Sequence, residues 1–414
     1  MDRDPARVAP GRNRGYHGGV KQPLSLYIHV PFCRRKCFYC DFNTYAGIDH
    51  LIPPFVDALK REIERWAPHA GEHEVTTVFF GGGTPSLLTG KQLRGILDTC
   101  RANYTFVADP EISMEANPSS TEYGRLAEYR QAGVDRISFG AQSFQPDELE
   151  WLGRLHSRED IGKAVRSARR AGFKRLNLDL IYGLPNQTPE RWEVNVRMAL
   201  DLKPDHLSMY ALTVEEGTPL DDWVKTGRSK EPDPDLAADQ YLLSGQILAA
   251  AGFEQYEISN WALPEQECRH NLTYWHNQPY LGFGPGAHSR FLEHRFSVIR
   301  SPQRYIEWAT AGSDASGAEA AIRGASAIDE FNPIDPQTDL LDTLMLGLRL
   351  TPGIKFADIL ARHGVDVLAR FEPALREMQT QWLLGYDPEG VWLTYRGRLL
   401  ANEVFVRLMN AAEE

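Results

Sequence analysis

Three cysteines stand close together in Tyr27-Ile-His-Val-Pro-Phe-Cys33-Arg-Arg-Lys-Cys37-Phe-Tyr-Cys40. The spacing C-x3-C-x2-C directly follows an apolar, β-branched run. Thiolates are soft ligands that suit iron–sulfur clusters. Three of them cover three irons of a [4Fe-4S] cubane and leave the fourth open. An open iron can chelate the amino and carboxylate groups of S-adenosylmethionine. Electron transfer into the sulfonium then cleaves a carbon–sulfur bond, usually to a 5′-deoxyadenosyl radical. The alternative is a structural zinc site, which wants four ligands; His29 would have to be the fourth. Arg34, Arg35 and Lys36 either lower the thiol pKa values and offset cluster charge or simply face solvent.

The elements that would position these residues alternate between strand and helix. Strands are predicted at Leu24–Val30, Thr76–Phe80, Glu111–Glu115, Arg136–Gly140, Leu176–Ile181 and His206–Leu212. Helical spacing lies between them, as with Phe55, Leu59 and Ile63. Thr188 can cap a helix with Pro189 at its first position, and Asp235 can cap the next. Polar residues fall at the ends of many strands: Gly81-Gly82-Gly83-Thr84, Glu115, Gln142-Ser143, Asp179 and Tyr210. A barrel gathers such positions around one mouth, whereas an open doubly wound sheet concentrates them at one switch point. The expected fold is therefore α/β, a partial (β/α)6 TIM-like barrel.

The remaining chain divides into a flexible leader (1–23), the barrel (24–252), a closing segment (253–330) and a smaller domain (331–414). Within the closing segment, Glu254–Trp261 reads as extended and the aromatic- and histidine-rich run after Cys268 as an ordered loop. The stretch from Ala309 to Ala327 reads as a surface connection. Helices followed by a β-hairpin make the last domain helical and winged-helix-like. Net charge is −11 over 414 residues, which argues against nucleic acid. Five cysteines are too few and too clustered for a disulfide framework. No run of 18 apolar residues suggests a membrane span, so a reduced, cytoplasmic setting is expected. Cys100 falls in a helical pattern and reads as a buried small hydrophobe. Cys268 reads as a free loop thiol or a redox or haem residue.

The cysteine motif resembles the radical S-adenosylmethionine (radical SAM) superfamily. From Leu24 to Leu408 the chain resembles the oxygen-independent coproporphyrinogen III oxidase family, and within it the haem chaperone HemW subgroup. The resemblance implies that Cys33, Cys37 and Cys40 hold the cluster. It implies that Tyr27, Tyr39, Gly82, Gly83, Thr84, Glu115, Gln142, Arg154, Asp179, Ile181 and Ala211 contact S-adenosylmethionine. The segment Gly282–Ser289 would pack on the nucleoside or close the mouth. Two departures count against the oxidase. Phe42 stands where the oxidases carry a further cysteine, and few residues precede the first strand. His270-Asn-Leu-Thr-Tyr274-Trp275 matches the chaperones' HNxxYW pattern. It implies haem contact, with His270 as axial ligand, unless the segment merely closes the barrel with His270 bonded internally. His276, Cys268 and His288 are secondary candidates. The expected function is haem binding and transfer to an acceptor protein, a respiratory one among the options. A homodimer and peripheral membrane contact are further implications. The alternative is a radical enzyme acting on a tetrapyrrole or small molecule, by methyl or methylene transfer, ring opening or decarboxylation.

Overall fold

The computed structural model describes residues 21–311 and 324–413. The expected leader, up to residue 20, and the core of the expected surface connection (312–323) lie outside the described residues. Strands β1 (Gln22–Val30), β2 (His73–Gly82), β3 (Phe106–Ala116), β4 (Arg136–Gln142), β5 (Arg175–Tyr182) and β6 (His206–Ala211) pair in parallel, each beside the next. These are the six predicted strands. All but β6 extend past the predicted bounds, because the ladder continues into residues outside the apolar run.

Alternation along these strands separates two environments. On β1, Leu24, Leu26, Ile28 and Val30 are buried. Leu176, Leu178 and Leu180 of β5 do the same, in one core with Phe55, Leu59 and Ile63 of helix Ile52–Trp66. Burying each such side chain contributes about 1.5–3 kcal/mol, so the helix-facing side holds the sheet. The intervening residues form the concave face, and most of them are polar. Ser25, Thr77, Ser138, Asn177, Asp179 and His206 all hydrogen-bond across neighbouring strands. A polar concave face is costly to bury without partners, and this one is densely paired.

The closing segment serves both sheet edges. Strands β7 (Glu254–Glu257) and β8 (Asn260–Ala262) extend the β6 edge antiparallel. Strand β9 (Tyr280–Phe283) crosses over to pair with β1 in parallel, a seventh parallel strand not foreseen. Strands β10 (His288–Phe291), β11 (His294–Val298) and β12 (Ile328–Pro333) continue from it, completing a twelve-stranded sheet. Thr188 caps helix Pro189–Asp201 as predicted, but Asp233, not Asp235, caps helix Pro234–Ala250. The histidine-rich run is not a loop. Arg269–Trp275 is a short helix whose first amides, from Arg269 and His270, donate to the buried Glu111 carboxylate (3.3 and 3.2 Å). That anchor is contributed by β3, so local sequence carries no sign of it.

The C-terminal unit has its own core. Helices Pro336–Gly347, Phe356–His363, Val367–Thr380 and Ala401–Glu413 surround a three-stranded antiparallel sheet. It meets the barrel through Arg290–Asp339 and Arg295–Asp342 ion pairs and through Asn277, which donates to Asp339 Oδ1 (3.0 Å) and Thr343 Oγ1 (2.9 Å). No helix among the described residues is long and apolar enough to cross a membrane.

Candidate functional site

A cavity of about 500 Å³ opens at the C-terminal ends of the parallel strands. Cys33, Cys37 and Cys40 line it, on the loop that follows β1. The chain holds this loop from several sides. Thr84 Oγ1 donates to Cys33 Sγ (3.5 Å) and Arg154 Nη1 to Cys37 Sγ (3.3 Å). Arg154 also donates to the Gly140 carbonyl (2.9 Å), tying the loop to β4. Asn43 Nδ2 donates to the Pro285 and Arg300 carbonyls, both at 2.9 Å. The amides of Gly83 and Thr84 donate to the carbonyls of Val30 and Phe32 (2.9 and 2.8 Å). At Gly83 a Cβ would fall 2.6 Å from the Phe32 carbonyl, so only glycine lets this strand end lie against the cysteine loop.

Burial raises the Cys33 and Cys40 thiols, with neighbouring hydrogen bonds pulling them back. Among the described residues, no His, Cys, Asp and Glu side chains gather in the manner of a single-ion site. A cubane asks for something different. Each cysteine binds a different iron, so the thiols must line one cavity without meeting at a point. Three half-buried thiols steadied by Arg154 and Thr84 fit that donor set.

The other polar residues meet in the same cavity. Glu115, Gln142 and Asp179 line the cavity with Gly82, Gly83 and Thr84. Burial, then the neighbouring Asp179 charge, push Glu115 up to about 8, against a hydrogen bond from the Gly82 amide (3.1 Å). Burial also lifts Asp179, while Ser138 Oγ (2.8 Å) and Asn177 Nδ2 (2.7 Å) donate to it and pull it back. Gln142 sits at φ +66° where the β4–β5 register shifts, which re-aims its side chain. Tyr39, Arg154, Ile181 and Ala211 also line the cavity.

Two expected site residues are elsewhere. Tyr27 does not line the cavity; its hydroxyl meets His29 Nδ1 (3.0 Å) and its ring stacks on Phe79. His270 is 1% exposed and holds both ring nitrogens in hydrogen bonds. Thr77 Oγ1 gives its proton to Ser25 (2.7 Å), so it accepts from His270 Nδ1 (2.6 Å). Nε2 is left to accept from Tyr274 (2.9 Å). The lone pair that would ligate iron is thus engaged, and burial takes the ring down to about 3. Of the two readings set side by side for His270, this arrangement is the internally bonded one, on a helix that packs against β2 and β3 inside the barrel. Cys268 is a free thiol just ahead of this helix, buried beside Glu111. Gly282–Ser289 does not line the cavity either. Gly284 and Gly286 press on His29 and Asn43 and support the cysteine loop from behind.

Sequence reasoning missed Asn117, Ser119 and Ser120 after β3, and Thr213 and Glu215 after β6, all of which line the cavity. The strand-end rule that picked Glu115 and Tyr210 would have reached them if carried a few residues further.

Residues 27–199 match the family model of the radical SAM superfamily, and residues 334–400 that of the HemN C-terminal domain. The haem chaperone HemW of Mycobacterium tuberculosis is 40% identical over 97% of this chain and 99% of its own. HemW of Bacillus subtilis is 34% identical over 92% and 98%. The coproporphyrinogen III oxidase HemN of Escherichia coli, a radical SAM enzyme, shares the fold (TM-score 0.78, covering 94% of this chain and 90% of its own) at 24% identity. With full-length kinship of that degree, the chain belongs to the HemW family of the radical SAM superfamily.

Proposed function

We propose that Cys33, Cys37 and Cys40 hold a [4Fe-4S] cluster, that S-adenosylmethionine lies between it and the strand ends, and that the site acts on a tetrapyrrole. The observation that carries this reading is one cavity lined by all three thiols and by Glu115, Gln142, Arg154 and Asp179. When bound, the cluster and S-adenosylmethionine supply one-electron cleavage of a carbon–sulfur bond. The chain's own residues bind and orient. Gly82 and Gly83 let backbone approach the methionine moiety closely. Glu115 offers a carboxylate to its ammonium. Gln142 and Asp179 offer hydrogen bonds to the ribose, and Ile181 and Ala211 an apolar wall to the adenine. Arg154 offsets thiolate charge while fixing the loop.

The test is anaerobic reconstitution followed by measurement of 5′-deoxyadenosine and S-adenosylhomocysteine with candidate tetrapyrroles. Formation that depends on the tetrapyrrole supports an enzyme. Slow, uncoupled cleavage with every tetrapyrrole tried would remove that part of the reading.

The second reading is haem carriage to an acceptor protein, with the same cofactors used for control or release. Two observations favour it: the names of the near-full-length relatives, and Phe42 at the position of the oxidases' further cysteine. Stoichiometric haem binding, with transfer to an apo-haemoprotein that responds to S-adenosylmethionine, is its expected result. An absence of haem binding would eliminate it.

A further inference from the structure

The cavity has a floor and a mouth of different character. The floor is the polar wall of carboxylates and amides just described. The mouth carries two large apolar side chains that remain exposed, Phe42 at 61% and Leu155 at 55%, whereas Tyr210 sends its hydroxyl down among Asp179, Ser208 and Glu115. Single exposed apolar residues need no explanation, but two brought together at the rim of one concavity mark a ligand surface. Phe42 and Leu155 come from distant loops, one after the cysteines and one after β4, so local sequence does not force them together.

The same rim carries Arg34, Arg35 and Lys36. Lys36 Nζ donates to the Phe42 carbonyl (3.2 Å), which ties the aromatic residue to the cysteine loop. Arg35 lies over the Phe38 ring, 5.1 Å from its centre. Among the described residues, Arg34 has no ion pair, hydrogen bond or ring contact, and no carboxylate pairs with any of the three. In a chain of net charge −11, these adjacent cations lack anions of their own.

An exposed apolar surface edged by unpaired guanidinium groups is complementary to a flat apolar body with carboxylates along one side. A phosphorylated or purely polar ligand would use the cations and leave Phe42 and Leu155 in water. We propose that Phe42 and Leu155 seat the face of a carboxylated tetrapyrrole and that Arg34 and Arg35 hold its carboxylates. This rests on the tetrapyrrole reading above and adds the seat, which is at the cavity mouth and away from His270. A macrocycle there covers the cavity and excludes water from the floor.

The test uses the full chain, reconstituted anaerobically, titrated by absorbance with haem and with haem dimethyl ester, which has no free carboxylates. Phe42→Ser and Leu155→Ser should each weaken both ligands about tenfold or more, the scale expected for exposing one large apolar side chain. The pair Arg34→Gln/Arg35→Gln should weaken haem about tenfold and leave the ester unchanged. Cluster absorbance and melting temperature report whether each variant is intact, and Phe42→Tyr, which keeps the ring, should restore binding. A parent protein that binds neither ligand refutes the tetrapyrrole reading itself. A parent that binds haem while the Phe42 and Leu155 variants match it overturns the seat alone. Equal losses for haem and ester in the double arginine variant overturn the carboxylate assignment.

Discussion

Glu115 should make ligand binding depend on pH. Its carboxyl is raised to about 8 because it is buried, because Asp179 stands nearby, and because the Gly82 amide compensates only in part. A group with a raised folded-state pKa is protonated across the interval between its unfolded and folded values. Here that interval runs from the ordinary glutamate value near 4.5 to about 8. Two consequences follow. Relative to Glu115→Gln, the wild type is most stable below the unfolded value and loses stability as pH rises through 8. And a cationic ligand that needs the carboxylate must expel its proton at any pH below 8. With about 1% ionised at pH 6 and roughly a quarter at pH 7.5, affinity should rise roughly 25-fold between them. The assay is calorimetric titration of the reconstituted protein with S-adenosylmethionine from pH 6 to 8.5. The ligand's own amino group titrates equally in wild type and Glu115→Gln, so it cancels in the comparison. The wild-type plot of log affinity should be steeper by close to one proton and flatten above pH 8. Parallel plots for the two proteins would refute the reasoning.

Other perturbations test how the site is held. Asn43→Ala removes two hydrogen bonds to the Pro285 and Arg300 carbonyls; it should cost about 1–3 kcal/mol in urea unfolding and speed cluster loss in air. Gly286→Ala should do the same, since φ is +82° and the new Cβ would fall 2.4 Å from Asn43 Nδ2. Glu62, buried behind this loop, accepts from Tyr305 (2.6 Å), the Gly284 amide (2.8 Å) and Ser326. Glu62→Ala leaves three donors unpaired and should cost roughly 2–4 kcal/mol in the same assay. Burial raises Glu62 to about 7, so the wild type should lose stability relative to Glu62→Gln as pH rises from 5 through 7. His270→Ala should lower the melting temperature by leaving Thr77 and Tyr274 without their partner, with no change in the Soret band of added haem. A changed Soret band would assign His270 as a ligand.

The cysteine loop, the six parallel strands and most of the cavity wall were readable because each rests on local chemistry. Thiol spacing is covalent. The strand pattern is a period of two imposed by burial on one face, and Glu115, Gln142 and Asp179 are polar exceptions at strand ends. Read alone, the sequence also favours an iron–sulfur cluster over a four-ligand zinc site, because three clustered thiols suit the former. It could not tell how far a polar residue lies from the mouth. Tyr27 and Gly82 fall on neighbouring strands and read alike, yet only Gly82 lines the cavity, since β1 carries its inward residues deeper. Nor could it locate His270. That residue's environment is made by Thr77, Tyr274 and the Glu111 anchor of its helix, brought together by strands far apart in the chain. The ninth strand crosses from one sheet edge to the other and carries the support for the cysteine loop with it. Local residue types thus determined the kind of chemistry available, whereas tertiary packing decided which groups remain free to perform it, because burial and hydrogen-bond partners are properties of the whole fold.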